Sequence, residues 1–313
     1  MTKLVQTLFD GLAVGSLYAL IALGYTMVYG ILSFINFAHS DIFMTGAWVA
    51  YTVAALAGWA VVSFGGGETP PLWSAPVTLL AAMAACAALG FAIERLAYRP
   101  LRKAPRLNVL ITAIGISLFL ENIGQRKEIF GTQPQKMPQL LPDDTLFTLF
   151  DVNFRIVDLT VIFIALALMA LLQWLVFRTR LGRAMRAVSH NIPVASLMGI
   201  NVDAVISFTF VIGSAMAAAA GFLYVMKYPG ALKQPADSTW ILLGLKCFVA
   251  AVIGGIGNVR GAMLGGVLIG LMEMFGAAYL SPHMRDIYVF SVLIVVLLVK
   301  PAGLLGRATV EKV

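Results

Sequence analysis

The sequence is poor in charge. Of its 313 residues, 12% are Asp, Glu, Lys or Arg, against roughly 25% in an ordinary soluble domain. A soluble globule has to cover its surface with polar side chains, so that class is excluded. Cysteine is almost missing: Cys86 and Cys247 both sit inside apolar runs, which excludes a disulfide scaffold and leaves packed free thiols as the expectation. The three histidines, His39, His190 and His283, are scattered, so no metal site is expected. No Gly-Lys-Ser/Thr ending follows the glycine-rich stretch Gly254-Gly255-Ile256-Gly257-Asn258-Val259-Arg260-Gly261, so it is no nucleotide loop. His-Glu-x-x-His, Gly-x-Ser-x-Gly and paired catalytic carboxylates are also missing, which argues against an intramembrane enzyme. No catalytic residue, cofactor or metal is expected.

What the chain does have is apolar length: 60% of it is hydrophobic. At about 20 residues per transmembrane helix, this supplies eight or nine spans. The runs are Gly11 to Phe34, Ile42 to Phe64, Leu72 to Ala97, Leu107 to Leu120, Val157 to Phe177, Ala204 to Met226, Ile241 to Ile253, Gly261 to Leu280 and Ile287 to Val299. Lys3 is the only early basic residue and the run behind it is long enough to span, so no cleavable signal peptide is expected. The fold class expected is a single all-α polytopic transmembrane bundle over residues 1–313.

The few charges carry the topology. Arg95, Arg99, Arg102, Lys103 and Arg106 form one cluster, and Arg178, Arg180, Arg183 and Arg186 another. Positive-inside logic makes the loops at about 95–106 and 178–203 cytoplasmic. Anionic lipid is a natural contact for them, whereas the pI near 9.5 says nothing of nucleic acid. The segment of about 121–156 bears four basic residues against five acidic ones from Glu121 to Arg155 and fits the other side. Counting crossings gives an extracytoplasmic N-terminus and a cytoplasmic C-terminus carrying Lys300, Arg307 and Lys312.

Four features are candidates for function. The first is the polar knot Asn36-Phe37-Ala38-His39-Ser40-Asp41 between two apolar runs. It reads either as a break within one crossing that lines a cavity, with His39 at a polar opening, or as a turn between two spans, with Asp41 capping a helix that begins at Ile42. Asn36, His39 and Asp41 are the pathway candidates. The second is Lys246 with Glu273. These are the charges deepest in apolar runs, at similar distances from the Gly257-Asn258 turn, and they are candidates for a buried ion pair. The third is a short helical unit in the second basic loop. Asn191 is placed to cap it, Pro193 suits its first turn and Gly199 its end. Ala195, Leu197 and Met198 give an apolar edge that suits either a docking partner or the bilayer surface. The fourth is small-residue packing: Gly11 with Gly15, Gly261 with Gly265, and Gly266 with Gly270.

Several stretches resemble branched-chain amino acid ABC transporter permeases of the LivH type. They are Gly15-Ser16-Leu17-Tyr18-Ala19-Leu20, Ile35-Asn36-Phe37-Ala38-His39, Gly182-Arg183-Ala184-Met185-Arg186-Ala187-Val188, Leu197-Met198-Gly199-Ile200-Asn201, Gly254-Gly255-Ile256-Gly257 and Lys300-Pro301-Ala302-Gly303-Leu304-Leu305-Gly306. They occur in order across nearly the whole chain. The resemblance implies a subunit of a bacterial inner-membrane importer. A periplasmic binding protein delivers the amino acid, a second permease completes the pore, and two cytoplasmic ATPase subunits drive alternating access. It further implies that Ala195, Leu197, Met198 and Gly199 couple to the ATPase. The chain departs from the family at Ile192-Pro193-Val194, where relatives usually carry charge, and at Ser40, where they usually have glycine. Related permeases serve urea or short amides, and an ion-coupled secondary transporter is the rival outside the family.

Overall fold

The structure is a computed structural model that describes residues 2–32, 34–59, 62, 70–102, 104–142, 144–149 and 152–306. Residues 65–69, Lys103, Asp143, Asp151, Arg307 and Lys312 lie outside the described residues. The helices are α1 (Thr2–Leu32), α2 (His39–Leu56), α3 (Ser74–Ile93, continued by a π-helical turn Glu94–Tyr98), α4 (Arg106–Gly124), α5 (Ile156–Arg178), α6 (Arg180–His190), α7 (Ile192–Leu197), α8 (Val202–Lys227), α9 (Ser238–Gly254), α10 (Val259–Tyr279) and α11 (Arg285–Val299). The chain is nearly all-α, as its composition implies.

Seven of these helices are long and apolar enough to cross a bilayer. Two others complete nine antiparallel runs among the described residues: α2, whose first turn is polar, and α9, which is short at 17 residues. Contacts at the two ends fix the directions. Lys3 lies over the Tyr279 ring, and Gln6 Oε1 accepts from the Asn153 N–H, so the start of α1 meets the end of α10 and the 121–156 segment. At the opposite end Gly30 lies beside Gly257, and the N–H groups of Leu304 and Leu305 donate to Ile253 and Gly254. The two chain ends therefore lie at opposite faces, and both basic clusters share the face of the C-terminal segment.

α1 is the central helix. It is buried on every side from Ala13 to Val28, which requires the all-round apolar sequence it has. Small residues let α10 approach it: a Cβ on Gly15 would stand 2.8 Å from Val267 Cα, and one on Gly266 would run into Ala19. The Gly261–Gly265 pair lies about 140° around α10 from Gly266 and Gly270, and it meets Gly254 and Ala250 of α9 instead. One helix thus packs closely on two neighbours through two glycine faces.

The 121–156 segment differs from a plain polar loop. α4 runs on to Gly124, and Thr145–Leu149 pairs with Val152–Arg155 as an antiparallel hairpin. The Phe9 and Phe154 rings, 4.8 Å apart, fasten that hairpin to α1.

Candidate functional site

The basic face is built around a helix that ends and restarts twice. Thr179 separates α5 from α6 and caps the latter, its Oγ1 accepting from Gly182 N–H at 3.1 Å. Gly182, Met185 and Val188, three residues apart, form the buried stripe of α6. Ser189 Oγ donates to Gly30 O at the end of α1 at 2.5 Å. Arg186 donates to the Val176 carbonyl, and its guanidinium lies 5.5 Å from the centre of the Phe177 ring. Asn191 Oδ1 then accepts from Val194 N–H at 3.0 Å, opening α7 with Pro193 in its first turn. Gly199 turns the chain at φ +78°, a conformation open to glycine without strain. Asn201 Oδ1 caps α8 through Ala204 N–H at 3.0 Å.

These caps hold α7 with Ala195 buried and Leu197 86% exposed. Met198, Val194 and Ile192 are also exposed. The residues expected to couple therefore divide by role: Ala195 seats the helix, Gly199 ends it, and Leu197 and Met198 point away from the bundle. Ile192 and Val194 join that outward edge, and sequence reasoning set them aside because relatives are usually charged there.

The first basic cluster does more than mark a loop. Arg99 and Arg102 both pair with Asp203 at the start of α8, the Arg102 contact being 2.5 Å. Arg102 also pairs with buried Glu94, which accepts a 2.5 Å bond from Ser207. In the same π-turn, Tyr98 Oη donates to Asn36 Oδ1 at 2.7 Å. One π-turn thus holds both the start of α8, through Arg99 and Arg102, and the knot, through Tyr98.

The knot joins two oppositely directed helices, so it is a turn rather than a break within one crossing. It is nevertheless deep. His39 packs in the space left by Gly24 and lies edge-on to Tyr25, ring centroids 4.7 Å apart. α2 begins earlier than expected: His39 N–H reaches Asn36 O at 3.2 Å, so the first turn closes three residues before Ile42. Asp41 consequently caps nothing and lies within that turn, and the N-cap position falls to Ala38. Asn36, His39 and Asp41 are all buried, and each keeps polar atoms without a well-formed hydrogen bond, including both Asp41 oxygens. Ser117 and Glu121 of α4 are the polar neighbours of that carboxylate.

The far end holds the other charges. Lys246 Nζ lies 3.0 Å from Glu273 Oε1 and 2.6 Å from Asp286 Oδ1, and Tyr18 Oη donates to Glu273 Oε2 at 2.7 Å. Lys227 pairs with Asp158, which also accepts from Arg155 Nε at 2.9 Å. Sequence reasoning missed Asp286, Tyr18 and the Lys227–Asp158 pair. The last carried a signal: Asp158 sits just inside one apolar run and Lys227 just beyond another, at ends expected to lie on one side. Beyond the spans, Asp237 caps α9 through Thr239 N–H and Oγ1, bonds that hold its carboxyl below the ordinary range. Cys86 and Cys247 are free and buried.

Comparison with known proteins agrees along the chain. Residues 7–298 match the family model described as "Branched-chain amino acid transport system / permease component". The chain is 42% identical to the high-affinity branched-chain amino acid transport system permease protein BraD of Pseudomonas aeruginosa, covering 99% of this chain and 98% of that one. It is 40% identical to the LivH permease protein of Escherichia coli K12, covering 99% and 97%. The probable LivH permease protein of Methanocaldococcus jannaschii is 29% identical, covering 93% and 89%. No solved structure matches.

Proposed function

The chain belongs to the family of branched-chain amino acid transport system permease components, and we propose that it is the membrane permease subunit of a binding-protein-dependent, ATP-driven importer for branched-chain amino acids. The observation that carries this reading is the full-length match to BraD and LivH permease proteins. In this reading the basic face is cytoplasmic, in a bacterial inner membrane, and the N-terminus is outside. A second permease completes the pore, and a periplasmic binding protein docks on the outer face. Two ATPase subunits dock on the inner one.

The geometry of α6 and α7 supports the coupling step. A helix end with Ile192, Val194, Leu197 and Met198 exposed is an unfinished apolar contact, and the chain has no nucleotide loop of its own. ATPase movement at α7 reaches Asp203, Arg99, Tyr98 and then Asn36, so the knot is the element that the docking unit shifts. Buried polar groups at membrane depth are costly, and their concentration at Asn36, His39 and Asp41 supports a place beside the solute pathway. The spans then alternate between outward-open and inward-open packings.

The test is reconstitution of the chain with its second permease, both ATPase subunits and the binding protein in liposomes. L-Leucine uptake that requires internal ATP is the expected result. Uptake by this chain alone, driven by an ion gradient, overturns the reading. Transport of urea or acetamide but not leucine overturns the substrate.

A further inference from the structure

At the outer face a cavity of about 630 Å³ opens between α1, α8, α9, α10 and α11. Small-molecule sites occupy roughly 300–1,000 Å³ and combine apolar walls with a few placed polar groups. Its lining includes the apolar side chains of Leu17, Leu242, Leu243 and Met274 and the rings of Tyr18, Tyr224 and Tyr228. The same lining carries Lys246, Glu273, Arg285 and Asp286. Glu273 has both oxygens engaged, one by Lys246 and one by Tyr18. Lys246 spends two of its donors on Glu273 and Asp286 and keeps a third. Asp286 is bonded through Oδ1 alone, and its side chain is 47% exposed. The Arg285 guanidinium makes no ion pair among the described residues. With Lys227 matched by Asp158, the lining is neutral in sum yet offers both signs at its mouth.

That arrangement has a chemical meaning. A cation alone would favour an anion, and an acid alone an amine. A free guanidinium next in sequence to a half-free carboxylate matches a molecule carrying both charges, while the apolar part of the lining accepts its side chain. A third charge on the ligand would enter a balanced site unpaired and be rejected. We propose that this cavity, within one permease subunit, is an acceptor site for a zwitterionic amino acid with an aliphatic side chain, Arg285 taking the carboxylate and Asp286 the ammonium. The proposal rests on the importer reading and adds where the permease itself holds the solute. It explains why Lys246 is paired with two carboxylates: the buried one keeps it in place, and the exposed one is left half free to bind.

The experiment is equilibrium binding of radiolabelled L-leucine to the purified permease–ATPase complex without the binding protein. Saturable binding is expected, at least tenfold weaker in R285Q and in D286N. Competition is expected from L-valine but not from 4-methylpentanoate, 3-methylbutylamine or L-lysine, each of which lacks one charge or carries an extra one. Arg285 is exposed and unpaired, so R285Q leaves the bundle intact. A wild-type complex without saturable binding overturns the site, and so do R285Q and D286N complexes that bind as wild type. Leucine uptake by the complete wild-type importer is measured in parallel. If uptake persists when the site fails, only the site is lost; absent uptake removes the importer reading as well.

Discussion

Lys246 is the residue on which the half of the bundle away from the basic clusters turns. Its ammonium joins α9 to Glu273 on α10 and to Asp286 on α11. The two carboxylates are not equivalent: Glu273 is buried, while the Asp286 side chain is half exposed. Removing Lys246 alone leaves the Glu273 charge buried with only the Tyr18 hydroxyl. Stranding one member of a buried pair costs about 3–5 kcal/mol. K246M is therefore expected to lose most of its folded protein. E273Q leaves Lys246 with Asp286 and is expected to be milder, and K246M/E273Q is expected to recover much of what K246M loses. Thermal melting of the detergent-solubilised protein ranks the three, and equal losses in both singles and the double would show that no energetic pairing exists. The Lys246–Glu273 contact was legible in the sequence because charges in apolar runs are rare and these two lie at similar distances from a turn. Asp286 was not, since nothing local to α11 says which helix it will face.

At the scale of elements, the docking unit is the clearest case of a helix made by its caps. α7 has six residues, far below the length at which an isolated helix persists in water. Asn191, Pro193 and Gly199 fix its ends, and each was readable from the sequence as a helix start or stop. The direction of its faces was not, because six residues hold too little periodicity to separate Ala195 from Leu197. The exposed edge makes a direct prediction. A double change, L197D/M198D, touches no packed neighbour, so it alters folding by about 0.5 kcal/mol or less. Under the proposed docking it places two charges in an apolar contact, and it is expected to lower ATP-dependent leucine uptake at least tenfold. The ATPase subunits should also be lost on affinity purification of the permease. Wild-type uptake with full co-purification would assign that edge to the bilayer surface instead. A second element-scale expectation concerns the link to the knot. Y98F removes only the hydroxyl that holds Asn36, so it is expected to leave ATPase docking intact while uptake falls several-fold. Uptake equal to wild type would remove the link from the coupling route.

For the whole molecule, the nine helical runs among the described residues were legible from hydropathy, with most ends within three residues. The shortfalls have physical causes. α4 outlasts its apolar stretch by one turn because Glu121 is covered by neighbouring helices, and the 145–155 hairpin depends on a contact with α1 that no local pattern announces. The start of α2 moved inward because backbone bonding, not the Asp41 side chain, closes its first turn. Orientation in the membrane is the property the fold itself leaves open, since the bundle has the same contacts either way up. Charge is the basis of the proposed orientation: the sequence has nine basic residues in two clusters, against a net of −1 over Glu121 to Arg155. Lys and Arg resist translocation, so the proposal puts the clustered face in the cytoplasm. Both native thiols are buried, so a single introduced cysteine reports its own side. In L197C, a membrane-impermeant maleimide is expected to label inside-out vesicles and not intact spheroplasts. In T145C, on the exposed hairpin, the pattern is expected to reverse. Labelling of L197C from outside would invert the chain, put α7 beyond reach of any cytoplasmic ATPase and turn the charged cavity toward the cell interior.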